Sequence, residues 1–462
     1  MVEQMPETDA RERREDEYGL DPAVVDAVRE ALRGGDREAI VARIGGLHVA
    51  DIADLFEQID TDERRALIGL AWSDIDAQVL AELEAGVRDD VLRILEPARV
   101  AEAARELETD DVVYLVEDLE EAERREVLAA LDPADRVAVA QSLTYPEYSA
   151  GRLMQRDLVK APPYWTVGQM IDWMRAAEDM PEQFYDVIVV DAAMKPVGTI
   201  PLSRVMASRR PVTLASLMED DFRTIGVLDA QEDVAYAFNQ YHLVSAPVVD
   251  GDGRLLGVIT IDDAVEVMQE ETAEDLLRLG GVGDEEISDT VWEIARRRVP
   301  WLGVNLVTAI AASMVIGMFE DQIAALVALA VLMPIVASMG GNAGTQTLTV
   351  AVRALATRDL TRSNAVRVIG REVAVGVANG LIFAIVMGAV AWVWFGDALL
   401  AAVIGVAMVI AMLSAGMSGI LIPMALERMG ADPALASGPF VTTVTDIVGF
   451  FAFLGLASIV LL

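Results

Sequence analysis

The last thirty residues constrain this chain most. From Pro433 to Leu462 the sequence is almost unbroken apolar residues, with one acid, Asp446, near the middle of the run 434–461. About 20 helical residues cross a hydrocarbon core of about 30 Å, so Asp446 falls near mid-membrane. An unpartnered carboxylate there costs roughly 2.5–3.5 kcal/mol on insertion scales and marks function by default. Helical spacing places Thr442, Thr443 and Gly449 at i−4, i−3 and i+3, and Pro439 at i−7. This predicts one small, polar stripe, with Phe440, Val441, Val444, Ile447 and Phe451 on the other faces. Such a stripe reads as one wall of a cation path. The alternative is an acid that is protonated or tied up by a neighbouring helix.

Charge divides the chain in two. Residues 1–298 hold 66 acids against 30 basic residues, whereas residues 299–462 hold 8 against 6. An acidic half therefore precedes a nearly neutral, apolar one. This balance excludes nucleic acid as a partner, because that needs basic surface. Lys160 and Lys195 are the only lysines. High acidity with almost no lysine suits a protein kept soluble in concentrated salt; the competing reading is that some acids bind divalent cations. There is no cysteine, and His48 and His242 are the only histidines. Disulfides, thiolate chemistry and the usual zinc or copper sites are excluded, which leaves a hard cation held by oxygen. The charged start, 1–20, predicts a disordered tail rather than a signal peptide.

A helical repeat domain is expected over 21–148. Asp51 to Ile59 leads to Glu63-Arg64-Arg65, and sixty residues later Asp111 to Leu119 leads to Glu123-Arg124-Arg125. A weaker copy lies around Val79 to Leu95. Amphipathic helices at this spacing predict a superhelical all-α solenoid. The signals then turn mixed. Val187-Ile188-Val189-Val190 and Pro247-Val248-Val249 are buried-strand patterns, each followed by a turn, a second strand and a helix. This resembles a tandem pair of CBS domains, an α/β fold, over 149–209 and 210–263. In that family a Gly-h-h-Thr-x-x-Asp stretch (h apolar) contacts the ribose of an adenine nucleotide. Gly257, Thr260 and Asp263 match it, implying an ATP site, while a purely structural pair is the alternative. The first copy has Gly198, Pro201 and Arg204 at these positions.

An acidic connecting helix follows within 264–298, carrying Glu270, Glu271 and Glu274. A solvated face is one reading. The other is a cation-responsive connector, since clustered carboxylates repel until a divalent ion screens them. Five spans are predicted over 299–319, 323–351, 371–396, 398–426 and 434–461. Arg296-Arg297-Arg298 and the loop bearing Arg353, Arg358, Arg362, Arg367 and Arg371 lie on one side. The positive-inside rule puts that side, with the N-terminal domains, in the cytoplasm and the C-terminus outside. In the second span Gly340 and Gly344 form a small-xxx-small pair for close helix approach. Asn342, Thr345 and Gln346 are polar at membrane depth, and Pro334 predicts a kink. Ser414, Gly416, Ser418 and Gly419 in the fourth span read as packing.

Helical repeat, CBS pair, acidic connector and five-helix transmembrane domain, in that order, resemble the MgtE family of magnesium channels. The specific motifs are Gly340-Gly341-Asn342-Ala343-Gly344-Thr345-Gln346 and Asp432-Pro433-Ala434-Leu435 through Pro439 to Asp446. The resemblance implies a plasma-membrane homodimer with its pore on the two-fold axis, lined by the second and fifth spans. It implies that Asp446 is the central pore acid, with backbone oxygens near Thr442 facing a hydrated Mg2+; Thr442, Thr443 and Asn342 are side chains that suit the same ion. It implies a connector that acts as a plug helix, and closure by cytoplasmic Mg2+ at acids such as Asp263, Glu270, Glu271 and Glu274. Gly438 departs from members that carry Asn there. The physics agrees, because magnesium sheds water reluctantly and suits few charges among many water-bonding groups. The alternatives are a coupled exchanger of divalent cations and a membrane-tethered cation or nucleotide sensor. An enzyme is not expected: no nucleophile–base pair stands out, and Gly280-Gly281-Val282-Gly283 lacks the lysine of a phosphate loop.

Overall fold

A computed structural model describes residues 19–282 and 291–462, apart from 118, 120, 178, 179, 182 and 362; the side chains of 293, 435 and 436 are also left out. The expected tail through residue 18, Arg362, Gly283 and the connector over 283–290 lie outside the described residues. Contacts divide the chain into 1–269 and 270–462, taken in turn.

The first unit begins with short helices from Pro22–Gly34 to Pro133–Ser142. Leu55, Phe56, Leu67, Leu80 and Val116 are fully buried in their common core. The first arginine of each Glu-Arg-Arg copy reaches back to the preceding helix. Arg64 Nε donates to the Phe56 carbonyl at 2.7 Å, and Arg124 Nε donates to the Val116 carbonyl at 3.1 Å. Arg136 does the same to Leu128 at 2.7 Å. Each reaches back eight residues to a carbonyl at the end of the preceding helix, which has no intrahelical donor. The weaker copy differs: Arg88 is buried with its guanidinium 3.5 Å from the Tyr114 ring centroid.

Two three-stranded sheets follow. In the first, β1 (Val159–Ala161) is parallel to β2 (Asp186–Val190), which is antiparallel to β3 (Pro196–Pro201). In the second, β4 (Ile225–Gly226), β5 (Ser245–Val249) and β6 (Leu255–Thr260) repeat that pattern. Even the irregularities correspond, at Val189/Val190 and Val248/Val249. The two copies also share a glycine requirement. A Cβ on Gly198 would lie 2.8 Å from the Glu219 carbonyl oxygen, and one on Gly257 only 2.6 Å from that of Gln155. At both places another stretch of chain crosses, bridging Thr199 to Glu219 and Val258 to Gln155.

β6 runs into α1 (Ile261–Leu279), which begins three residues before the expected connector and carries the chain into the second unit. That unit holds five helices long and apolar enough to cross a membrane: α2 (Val291–Gly317), α3 (Ala328–Ala356), α4 (Ala365–Phe395), α5 (Ala398–Arg428) and α6 (Pro433–Val460). The expected second span is shortened at its start, because Glu320–Ala325 forms a separate short helix. α4 starts six residues before the expected span and takes in Arg367, Arg371 and Glu372. Pro334 and Pro439 lie inside continuous helices. Small residues let the helices approach. Gly376 and Gly380 of α4 face Met412 and Val409 of α5, and Gly416 of α5 faces the Glu372 carbonyl. Gly419 faces Gly344 and Thr347 of α3, so the glycines of the fourth span are packing residues.

Replacing Gly257 with Ala forces a methyl against the Gln155 carbonyl, an overpacking worth about 1–3 kcal/mol. The G257A protein should melt at a clearly lower temperature, whereas G251A, which has open space around it, should melt like the parent. Equal melting of all three would remove the close-approach argument.

Candidate cation pathway and sensor

Two faces meet on α3. Its buried face carries Leu332, Val336, Gly340, Gly344 and Leu348. A Cβ on Gly340 would touch Thr445, and one on Gly344 would stand 2.8 Å from Val441 Cγ1. The glycines thus seat α3 on α6. The other face carries Ser338, Asn342, Thr345, Gln346 and Thr349, all exposed in the single chain. These residues sit within a 29-residue apolar helix. Hydrocarbon offers them no hydrogen bonds, so this face needs water or another protein surface.

α6 has the same division. Ser437, Val441, Thr445, Phe453 and Ala457, four residues apart apart from one step, are fully buried, and Gly449 fills the missing step against Val336, Ala337 and Ala411. Gly449 therefore belongs to the packed face, not to the polar stripe with Asp446 that its spacing suggested. Thr442, Thr443 and Asp446 are partly exposed beside it. The Asp446 carboxylate has no hydrogen-bond or ion-pair partner among the described residues.

The hydroxyls share a polarity. Thr442 donates to the Gly438 and Pro439 carbonyls, both at 3.1 Å, and Thr443 also donates to Pro439. On α3, Thr345 donates to the Gly341 carbonyl and Thr349 to that of Thr345, each at 3.0 Å. Each hydroxyl has one hydrogen and two lone pairs. With the hydrogens spent on their own helices, these four threonines offer only acceptors. A water bound to a cation turns its hydrogens outward, so such a surface, with Asp446, suits a hydrated cation. Pro439 adds to this, since its missing N–H leaves the carbonyl four residues earlier without a helical donor.

A second cluster lies in the first unit. Asp110 and Asp111 open the helix Thr109–Glu117, Glu108 precedes it, and Asp262 and Asp263 open α1. Burial, then Asp111, Asp157, Asp263 and Asp262, pushes the Glu108 carboxyl up to about 7. Burial, then Asp262, pushes Asp263 up to about 7, and burial pushes Asp111 up to about 6. Asp110 is raised by burial and then by Asp263, and its Oδ2 is buried with no hydrogen-bond partner. Arg152 holds the helical domain to the α/β repeats at the other end of the helix Thr109–Glu117. It pairs with Glu117 at 3.1 Å and donates to the Leu143 and Tyr145 carbonyls. Among the described residues, no three acids converge as the ligands of a bare ion.

The acids predicted as one sensor separate. Asp263 joins Glu108, Asp110 and Asp111, which lie about 150 residues earlier and carry no local sign of that role. Glu270 and Glu271 lie about 10 Å further along α1, and Glu274 pairs with Arg278. The nucleotide-motif residues have structural work. Gly257 lies under the Gln155 crossing, while Thr260 N and Oγ1 both donate to Asp263 Oδ2, at 3.3 and 2.9 Å. That pair caps the start of α1.

Comparisons with known proteins fit this division. The model of the divalent cation transporter family MgtE matches residues 333–456, that of the MgtE intracellular N domain matches 47–148, and that of the CBS domain matches 214–270. The chain is 32% identical to the magnesium transporter MgtE of Thermus thermophilus over 94% of this chain and 98% of that one. It is 35% identical to that of Enterococcus faecalis over 69% and 71%. A crystal structure of the cytosolic domain of the Mg2+ channel MgtE in complex with ATP is 29% identical with a TM-score of 0.48, covering 53% of this chain and 99% of that one.

The acid cluster predicts a pH dependence. Its carboxyls bind protons more readily when folded than when unfolded, where they titrate near 4. The proton-linked stability is full below that value and is lost as pH rises through the folded values of about 6 to 7. In chelator, the melting temperature of the cytoplasmic unit should fall between pH 5.5 and pH 8, and Mg2+ should flatten the fall. A midpoint that holds level in chelator would show that the acids do not crowd one another.

Proposed function

The chain belongs to the MgtE family of magnesium transporters, and we propose that it works as a magnesium channel closed by cytoplasmic Mg2+. Two copies meet along the polar faces of α3 and α6, enclosing a water-filled path on their two-fold axis. The observation that carries this reading is the acceptor-only surface of Thr345, Thr349, Thr442 and Thr443 beside the unpartnered Asp446. One carboxylate per copy attracts the ion, and the threonine oxygens and Asn342 hold its water shell. The N-terminal unit is cytoplasmic, the C-terminus is outside, and the membrane potential drives uptake at about 2.3 kcal/mol per charge per 100 mV, doubled for a divalent ion.

Gating uses the second cluster. Mg2+ between Glu108, Asp110, Asp111, Asp262 and Asp263 relieves their repulsion and stabilises the arrangement in which they face one another. An adenine nucleotide at the second α/β repeat would find Gly257 closed off by Gln155 and the Thr260–Asp263 pair already satisfied, so these three are not its main contacts.

In proteoliposomes, D446N should lower Mg2+ flux about tenfold or more, while the protein still elutes as the folded assembly. Undiminished flux would take Asp446 out of the path, and flux that stops without a sodium gradient would favour the exchanger. Separately, D110N/D263N should conduct normally at low Mg2+ yet need a higher cytoplasmic concentration to close. Closure at the parent concentration would refute the sensor.

A further inference from the structure

α5 packs against α3, α4 and α6, and one strip of it stays uncovered. Ile410, Ser414, Met417, Leu421, Ala425 and Arg428 follow one another at steps of three or four residues, so they share a face. Met417, Leu421, Ala425 and Arg428 are exposed. Beside the strip α6 contributes Val444 and Val448, and the two helices border a groove of about 390 Å³. Its floor is low because Ser414 and Ser418 are small. The Ser418 hydroxyl spends its hydrogen on the Ala415 carbonyl at 3.3 Å, so the lining asks for little beyond hydrocarbon.

Depth assigns the groove to one leaflet. The midpoint of α5 is near Leu413. From Ile410 to Leu421 is about 16 Å, close to half of a core about 30 Å thick. The groove therefore starts near mid-membrane and runs toward Arg428. This is the basic side, since Ile420 and Met424 of α5 pack on Leu360 and Ala365 of the α3–α4 connection. Arg428 differs from other arginines there. Arg278 is held by Asp432 and Glu274, and Arg371 by Glu372. Arg428 has no ion-pair partner among the described residues, and Glu427 stands about 100° round the helix from it. An apolar slot one leaflet long, leading to a cation at headgroup level, matches a lipid with hydrocarbon below and an anion above. A helix of a second copy fits worse. The mostly exposed α2 would bring Arg296, Arg297 and Arg298 to the same level, like charges against Arg428.

We propose that this groove binds an acyl chain of an anionic phospholipid from the leaflet on the Arg428 side, with Arg428 on its phosphate. Val444 and Val448 stand two residues either side of Asp446, which puts them about 160° away across α6. The lipid chain thus braces α6 from behind, opposite the face that carries the central acid. The site requires only that the five helices span a membrane, and it is independent of how the path is gated.

The test reconstitutes the full chain in phosphatidylcholine vesicles with a minority of phosphatidylglycerol bearing a photoreactive diazirine on its acyl chain, and reads the labelled peptides by mass spectrometry. Label should concentrate on 410–422 and 444–448 rather than around Ile385, an exposed apolar residue of α4. Phosphatidylcholine bearing the same group should label the groove about fivefold less, and R428Q should erase that preference. S414L, which fills the floor, should block both probes in the groove and leave the label at Ile385 unchanged; R428Q, at an exposed position, keeps the test decisive should S414L fail to fold. Label no denser in the groove than at Ile385, an anionic preference that survives R428Q, or undiminished groove label in a folded S414L would each overturn the site. So would an L302C/M417C variant that links two chains on oxidation. The chain has no cysteine of its own, so that bond would place α2 of a second copy in the groove.

Discussion

Water is absent from the hydrocarbon core, so each polar group there must find its partner within protein or along a wet path. That constraint divides α3 and α6 lengthwise. Their small residues, Gly340, Gly344, Thr445 and Gly449, take the dry side, where helix backbones approach closely. Their hydroxyls, amides and Asp446 take the other. Each threonine bonds back to a carbonyl of its own helix, so the threonines of that side present oxygen lone pairs without hydrogens, while Asn342 and Gln346 carry donors as well as acceptors. The packing that brings α3 against α6 is also what orients this surface, and on the channel reading the route of an ion follows from helix contact rather than from a dedicated cage.

The cytoplasmic acids obey a related logic with the opposite sign. Glu108, Asp110, Asp111 and Asp263 are driven toward the protonated form by burial and by one another. Asp110 and Asp263 both stand in the first turn of a helix, whose positive end offsets part of that cost. What remains is stored repulsion among the carboxylates. Carboxylates in that condition respond to a hard cation far more than solvated ones do, although the acidic surface around them is much larger.

Periodicity made the architecture legible. Apolar runs of membrane length, paired strand patterns and a repeating Glu-Arg-Arg all correspond to elements in the structure. Asp446 stands out in the sequence because a lone acid in such a run has few bland explanations, and the structure leaves it partly exposed on α6. The acid cluster was not, because Asp110 and Asp263 come from distant parts of a chain rich in acids, and only folding selects them. Nor was the Arg278–Asp432 pair, whose members are 154 residues apart. Gly449 shows a finer limit. Spacing alone placed it near Asp446, but a residue three positions on can belong to either adjoining face, and contact with Ala337 and Ala411 decides for the dry one. The motif glycine Gly257 shows the converse, since the crossing of Gln155 explains it without a ligand.

The two acidic sites share one chemical economy. Neither gathers the three or more close carboxylates of a chelating centre among the described residues. Magnesium is small, prefers octahedral geometry and gives up water slowly. A site that grips it bare would bind too firmly to release it, either for conduction or for sensing changes in concentration. On the channel reading, oxygen acceptors that bind the ion through its waters avoid this, and they favour the ion whose hydration shell is most regular. Calcium, with its longer bonds and variable coordination, presents a less defined set of outward hydrogens to the same surface. On the channel reading, discrimination lies in the shape of the hydrated ion, which is why a path with so little charge can still be selective.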